Sequence, residues 1–204
     1  MTADAPYPLS NFAVERAAQE PRSAPDQATD LREAGAAADQ RDIAACRRGD
    51  RAAFGRLYTR YSRLVHGILL ARVPYSDVED LVHDVFLQAL RHLSALRSPE
   101  AFGGWVATIA RRRAQDYFRR SHAASELPDE ISQAPAPHHE AAAALAAIRA
   151  LPEAYRETLI LRLVEGMSGP EISARTGLTP GSVRVNLHRG MALLRKSLGL
   201  EEQP

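Results

Sequence analysis

Between Phe54 and Leu69 the apolar residues Phe54, Leu57, Tyr58, Tyr61, Leu64, Val65, Ile68 and Leu69 fall at steps of three and four. That period puts them on one face of a helix, which Asp50 is placed to cap and Pro74 to end. A second stripe, Val78, Leu81, Val82, Val85, Phe86, Ala89, Leu90 and Leu93, follows Ser76 and Glu79, which have the spacing of a capping box. The opposite face carries Asp77, Asp80, Asp84 and Gln88. Ser98 and Pro99 predict a third start, with Phe102, Trp105, Val106 and Ile109 inward. This helix runs into Arg111, Arg112, Arg113, Arg119 and Arg120. Gly103 and Gly104 in its interior each cost about 1 kcal/mol relative to alanine, which points to close approach by another backbone or a ligand.

The periodicity stops over 121–140 and resumes with Leu145, Ile148 and Leu151. Pro152 opens a helix with Tyr155, Leu159 and Leu163 inward and Gly166 as its stop. Ser168 and Glu171 then form a capping box over a short helix with Ile172 inward, and Gly177 with Leu178 makes a turn. Thr179 caps the next helix and Pro180 starts it, with Val183, Leu187, Met191 and Leu194 buried. Ser173 supplies the small residue where two helices touch four positions before the turn glycine. This is a helix-turn-helix pattern. The fold class is therefore all-α, with two small helical domains joined by a linker.

Charge sharpens the division. The 204 residues sum to a net charge of only +1. Residues 1–40 carry three arginines against seven acids, 41–120 carry 15 basic against eight acidic residues, 121–140 carry four acids and no Lys or Arg, and 141–204 carry eight basic against six acidic. The basic middle segment favours a polyanion. Residues 1–40, with Pro6, Pro8, Pro21 and Pro25 and few large apolar side chains, are expected to be a disordered extension. Residues 121–140, with Pro128, Pro135 and Pro137, are expected to be a flexible acidic linker spanning roughly 25 Å root-mean-square. The expected units are thus 1–40, 41–120, 121–140, 141–198 and a tail 199–204. The single cysteine, Cys46, excludes an internal disulfide and any Cys-rich zinc module. No apolar run approaches bilayer length and the N-terminus lacks a signal-peptide layout, so a cytoplasmic protein without membrane insertion is expected.

The outward and flanking positions of the last helix are Thr179, Ser182, Arg184, Val185, Asn186, His188 and Arg189. Arginine reads guanine bidentately, asparagine reads adenine, and a valine methyl meets the thymine methyl, while others in such a set contact only phosphate. In the middle segment, Arg111, Arg112, Arg113, Arg119 and Arg120 stand beside Trp105, Tyr117 and Phe118. That combination of backbone neutralisation and aromatic surface suits separated strands and unstacked bases. Phe102 reads as core, and Trp105 fits either role. His138 and His139 are adjacent and have no metal-ligand spacing, His83 next to Asp84 reads as a surface pair, and Cys46 has no activating neighbour. Neither a catalytic constellation nor a phosphate-cradling loop is present, so no enzyme, cofactor or metal is expected.

The segments DVEDLVHDVFLQAL at 77–90, FGGWVATIARRRAQDYFRR at 102–120 and LPEAYRETLILRLVEGMSGPEISARTGLTPGSVRVNLHRGMALLRKSL at 151–198 occur in an order that resembles a bacterial RNA polymerase sigma factor of the extracytoplasmic-function type. The resemblance implies that 41–120 is sigma region 2, docking on the clamp coiled coil of core RNA polymerase through Asp80, Asp84 and Gln88. It implies that the helix from Pro99 onward recognises and melts the minus-10 element through Trp105, Arg111, Arg112, Arg113, Tyr117, Arg119 and Arg120, with a flipped base held near 92–97. Residues 141–198 would be region 4, reading the minus-35 element and meeting the polymerase flap, and the linker would thread the polymerase interior. Promoter DNA, core polymerase and an anti-sigma factor are the implied partners. The family often has asparagine where Arg112 stands. A stand-alone helix-turn-helix regulator is the second reading and a sigma-like decoy the third.

Overall fold

A computed structural model describes residues 24–124 and 139–200, and within them the chain forms eight helices and no strand. They are α1 Ala24–Arg47, α2 Arg51–Leu70, α3 Tyr75–His92, α4 Phe102–Ala124, α5 His139–Ala150, α6 Glu153–Leu163, α7 Gly169–Thr176 and α8 Pro180–Ser197, with short 3-10 turns at Leu93–Ala95 and Pro99–Ala101.

Local chemistry explains most boundaries. Asp50 accepts from the backbone N–H groups of Ala52 and Ala53 and so starts α2. The Ser168/Glu171 capping box closes around the start of α7, and Thr179 accepts from the Ser182 N–H at the start of α8, with Pro180 in its first turn. Between them Gly177 has φ +80°, the left-handed conformation that only glycine adopts freely. The α3 start differs from expectation. Pro74, in extended conformation, is the N-cap, the helix begins at Tyr75, and Ser76 bonds its neighbour Asp77 instead of capping. The missing proline N–H and the fixed proline φ break the chain there without help from a side-chain cap.

The largest correction concerns the N-terminal extension. Residues 24–40 are helical, the first part of α1, with Pro25 placed in the first turn, where its missing donor is harmless. Alanine makes much of this stretch, and alanine is the best helix former. What anchors it is polar. Asp39 and Asp42 are buried; Asp42 accepts from Arg56 Nε at 2.7 Å and from Arg60 at 2.8 Å, and Asp39 accepts from Arg60 and from the Tyr61 hydroxyl. Burial raises the Asp42 carboxyl, but Arg60 and Arg56 outweigh it and hold the group below its ordinary range; at Asp39 burial wins and the carboxyl is raised. The expected disorder of residues 1–23 and most of the expected linker, 125–138, lie outside the described residues; α4 reaches Ala124 and α5 begins at His139, inside the expected linker limits.

Helices α1 to α4 surround a core of Ile43, Leu57, Leu64, Ile68, Val78, Phe86, Phe102 and Val106, and α5 to α8 one of Ile148, Leu159, Ile172, Val183, Leu187 and Met191. The two cores are continuous, because α6 packs on α2 and α7 packs on α1 and α4. Gly103 makes the second contact possible: a Cβ there would lie 2.9 Å from the Arg175 carbonyl oxygen and 2.9 Å from the Tyr61 ring. The close backbone approach expected from Gly103 is therefore made by the helix-turn-helix itself. Gly104, by contrast, has open space beside it.

Candidate nucleic-acid and docking surfaces

On α8 the residues Val183, Leu187, Met191 and Leu194 face the core, and this turns Ser182, Arg184, Val185, His188 and Arg189 outward, all exposed. Thr179 and Ser182 are joined through their hydroxyls at 2.8 Å, as parts of the N-cap. Asn186 departs from the expected face: it is half-buried, and its amide donates to Thr158 Oγ1 of α6 at 3.5 Å. The outward surface of α8 thus presents two arginines, a histidine and a valine at one end of a rigid helix. This is suited to a groove edge, with Asn186 packed toward its own domain.

The α4 arginines divide into two sets. Arg112 and Arg120 are exposed, and Arg119, largely exposed, pairs with Asp116 at 2.9 Å. Arg111 instead holds Glu157 of α6 through Nε at 3.1 Å and Nη2 at 2.6 Å, and Arg113 pairs with Asp84 of α3. The Tyr117 hydroxyl donates to Asp77 at 3.0 Å, and its ring meets that of Phe118, which is exposed. Trp105 is half-buried against Phe102, with ring centroids 5.7 Å apart, while Phe102 is fully buried. The structure therefore brings these residues onto one helix but holds Arg111, Arg113 and Tyr117 in intramolecular contacts.

On α3, Asp80 and Gln88 are exposed and Asp84 is half-buried by its pair with Arg113. Leu87 and Leu90 lie beside them, 51% and 46% exposed. Leu90 was expected inward. Nine apolar positions from Val78 to Leu93, Leu87 among them, form a band wider than one helix face, and its edge faces solvent. Exposed leucines following a row of carboxylates along one helix are a surface suited to a protein partner. The sequence signal for Leu87 was available: it sits seven residues after Asp80 and three after Asp84, on the same face.

Charged contacts tie the two domains. Arg72 donates to Glu153 at 2.9 Å and to Glu157 at 2.7 Å, Arg149 of α5 donates to the Leu70 and Val73 carbonyls at the end of α2, both at 2.9 Å, and His66 Nδ1 lies 2.5 Å from Glu165 Oε1. The hydrogen bond to Glu165 raises the His66 pKa, burial opposes it, and the Glu165 and Glu79 charges add to the rise. A raised histidine pKa contributes stability that is complete below the unfolded value of 6.5 and is lost as pH climbs through the folded value. The domain contact should accordingly weaken as pH is raised past 6.5 and through the higher folded-state value, and His66→Gln should abolish that dependence in thermal denaturation.

Among the described residues no group of three or more His, Cys, Asp or Glu could hold a metal ion, and no helix is long and apolar enough to cross a membrane. Residues 57–123 match the family model of sigma-70 region 2, and residues 141–194 that of sigma-70 region 4. The RNA polymerase sigma factor CarQ of Myxococcus xanthus is 32% identical over 167 residues, 75% of this chain and 93% of that protein. The ECF RNA polymerase sigma-E factor of Escherichia coli strain K12 is 28% identical over 186 residues, 81% of this chain and 95% of that protein. Among solved structures, CnrH in complex with the cytosolic domain of CnrY matches with a TM-score of 0.56 at 27% identity, covering 81% of this chain and 99% of that one.

Proposed function

Because the chain belongs to the sigma-70 family of RNA polymerase sigma factors, in its extracytoplasmic-function branch, we propose that its first domain docks on the clamp of core polymerase and opens the minus-10 element while its second reads the minus-35 element. The exposed α3 face of Asp80, Leu87, Gln88 and Leu90, opposite the buried stripe of Val78, Val82, Val85, Phe86 and Ala89, is the observation that carries the docking assignment. A stand-alone regulator has no use for such a face. Arg112, Arg119 and Arg120 meet the separated strands, Trp105, Tyr117 and Phe118 offer surfaces for unstacked bases, and Arg111 and Arg113 join them once released from Glu157 and Asp84. Arg184, Val185, His188 and Arg189 face the minus-35 groove, with the Thr179 and Ser182 hydroxyls near its phosphates. Two modest DNA contacts joined through polymerase then act as one bivalent reader.

In this reading the protein works in the cytoplasm, on polymerase and promoter, with no chemistry of its own. An anti-sigma protein is its inhibitor, in keeping with the similar chain CnrH, which was solved with the cytosolic domain of CnrY. Run-off transcription with core polymerase on a pool of promoter fragments tests the assignment: transcripts from shared start sites should appear only when the protein is added. Asp80→Lys is the sharper docking probe, since Asp80 is exposed whereas reversal of Asp84 would also strand Arg113. It should cut association with core polymerase at least tenfold, on the order of a reversed charge at a docking face, with an unchanged melting temperature. Normal co-purification of Asp80→Lys would remove the docking assignment.

A further inference from the structure

The first half of α1 has no task in that scheme. From Asp39 onward α1 belongs to the first domain, through Asp39, Asp42 and Ile43. Before Asp39 it lies against α7, the first helix of the helix-turn-helix, through Arg32, with the turn at Glu100 and Ala101 bordering the same contact. There the Arg32 guanidinium donates to the Ser173 carbonyl at 3.1 Å, and the same carbonyl accepts the Gly177 N–H at 3.2 Å. Arg32 therefore adds a second, charged donor to that carbonyl at the C-terminal end of α7, where the helix dipole is negative. Ala28, one turn earlier, is buried. The end of α7 is thus held between α1 on one side and Gly103 of α4 on the other, around a shared cavity of about 480 Å³ lined by Arg32, Tyr61 and Arg175.

We infer that Ala24–Asp39 is a docking surface for the chain's own helix-turn-helix, a strap that keeps the two DNA-reading domains closed on each other and releases α7 before both promoter elements are engaged. The inference rests on the division of labour proposed above. Elements centred about 25 base pairs apart are roughly 85 Å apart along a duplex, at 3.4 Å per step. A compact chain of this length has a radius of gyration of only about 17 Å. The packed form cannot reach both elements, and it also keeps Arg111 on Glu157. Opening frees the arginine and the reach together, and the strap sets how readily that happens.

The test follows energy transfer between dyes on Ser76→Cys and Ser197→Cys, one exposed site in each domain, in the full chain carrying Cys46→Ser. Ala34→Pro, at an exposed position, breaks the helix upstream of the Asp39 anchor and should raise the open population at least tenfold. Arg32→Ala should raise it about fivefold through the lost charged hydrogen bond. Gly35→Ala, with open space where its Cβ would go, stiffens the strap and should lower the open population about fivefold. Gly67→Leu supplies the open reference independently of α1, since even a Cβ at Gly67 would lie 2.7 Å from Leu161 Cδ2. Unchanged transfer in Ala34→Pro and Arg32→Ala, with Gly67→Leu open, overturns the strap. If Ala34→Pro does not fold, Arg32→Ala and Gly35→Ala decide by moving in opposite directions or not at all. Run-off transcription with the same proteins separates the two readings. A parent that directs no transcripts defeats the functional assignment whatever the dyes report, and an active parent whose α1 variants stay closed defeats only the strap.

Discussion

Glu157→Ala should part the two domains and cost the packed form about 3–5 kcal/mol, the usual penalty for removing one partner of a buried ion pair. Glu157 is buried, and its carboxylate lies between Arg72 at 2.7 Å and Arg111 at 2.6 Å, with the exposed Glu153 also on Arg72 at 2.9 Å. Burial pushes the carboxyl up, but the hydrogen bonds and charges of Arg111 and Arg72 outweigh it and hold the group below its ordinary value. A lowered carboxyl pKa contributes stability above the unfolded value of 4.5 and loses it as pH falls through the folded one. Acid and the alanine variant should therefore expand the chain in the same way, seen as a larger radius of gyration in small-angle scattering together with a lower melting temperature. A second readout moves the opposite way. With Glu157 gone, Arg111 is free, and affinity for a fork with an unpaired minus-10 strand should rise while stability falls. A variant that melts early but keeps both its size and its weak fork binding would show that Glu157 supports only the second domain.

The helix-turn-helix was legible in the sequence because every device that builds it is local. A capping box spans three residues, the left-handed turn needs one glycine, and the inward positions of α8 repeat within one helix. The same holds for the Asp50 cap and the α2 stripe. Arg111 to Glu157, Arg72 to Glu157 and His66 to Glu165 join residues 46, 85 and 99 positions apart, and nothing in a run of arginines says which of them meets a carboxylate of another domain. The polyanion-binding reading of the arginine cluster and its intramolecular pairing are two uses of the same charge, and only the second needs the tertiary fold.

The first half of α1 was illegible for a different physical reason. Large apolar side chains at helical spacing mark a packed helix in a sequence, and this segment has almost none. It is held by alanine, by one arginine at a helix end and by the buried Asp39. Acids in an alanine- and proline-rich stretch read as solvated, and only Arg60 and Tyr61, about 20 residues downstream, make Asp39 a buried anchor. The two adjacent glycines gave a truer hint. Gly103 marked the place where the Arg175 backbone arrives, although the sequence left open whether a backbone or a ligand would come.

The largest effect on promoter choice is expected from Arg184 and Arg189. The α8 core residues Val183 and Leu187 fix the helix, so that Arg184, Val185, His188 and Arg189 share the outward surface, while Asn186 turns to Thr158. A bidentate arginine–guanine contact carries about 1–3 kcal/mol of discrimination. Arg184→Ala combined with Arg189→Ala should therefore lower run-off transcription from the parent promoter by roughly one hundredfold or more if both read bases. Salt dependence separates an arginine that reads a base from one that neutralises phosphate. Loss of a phosphate contact weakens binding to every sequence alike and lowers the slope of log affinity against log salt by about one, whereas loss of a base contact relaxes choice at one position of the minus-35 element. Asn186→Ala, in contrast, should change the stability of the second domain more than its promoter preference. Transcription unaffected by the double arginine substitution would mean that this surface of α8 does not face the groove.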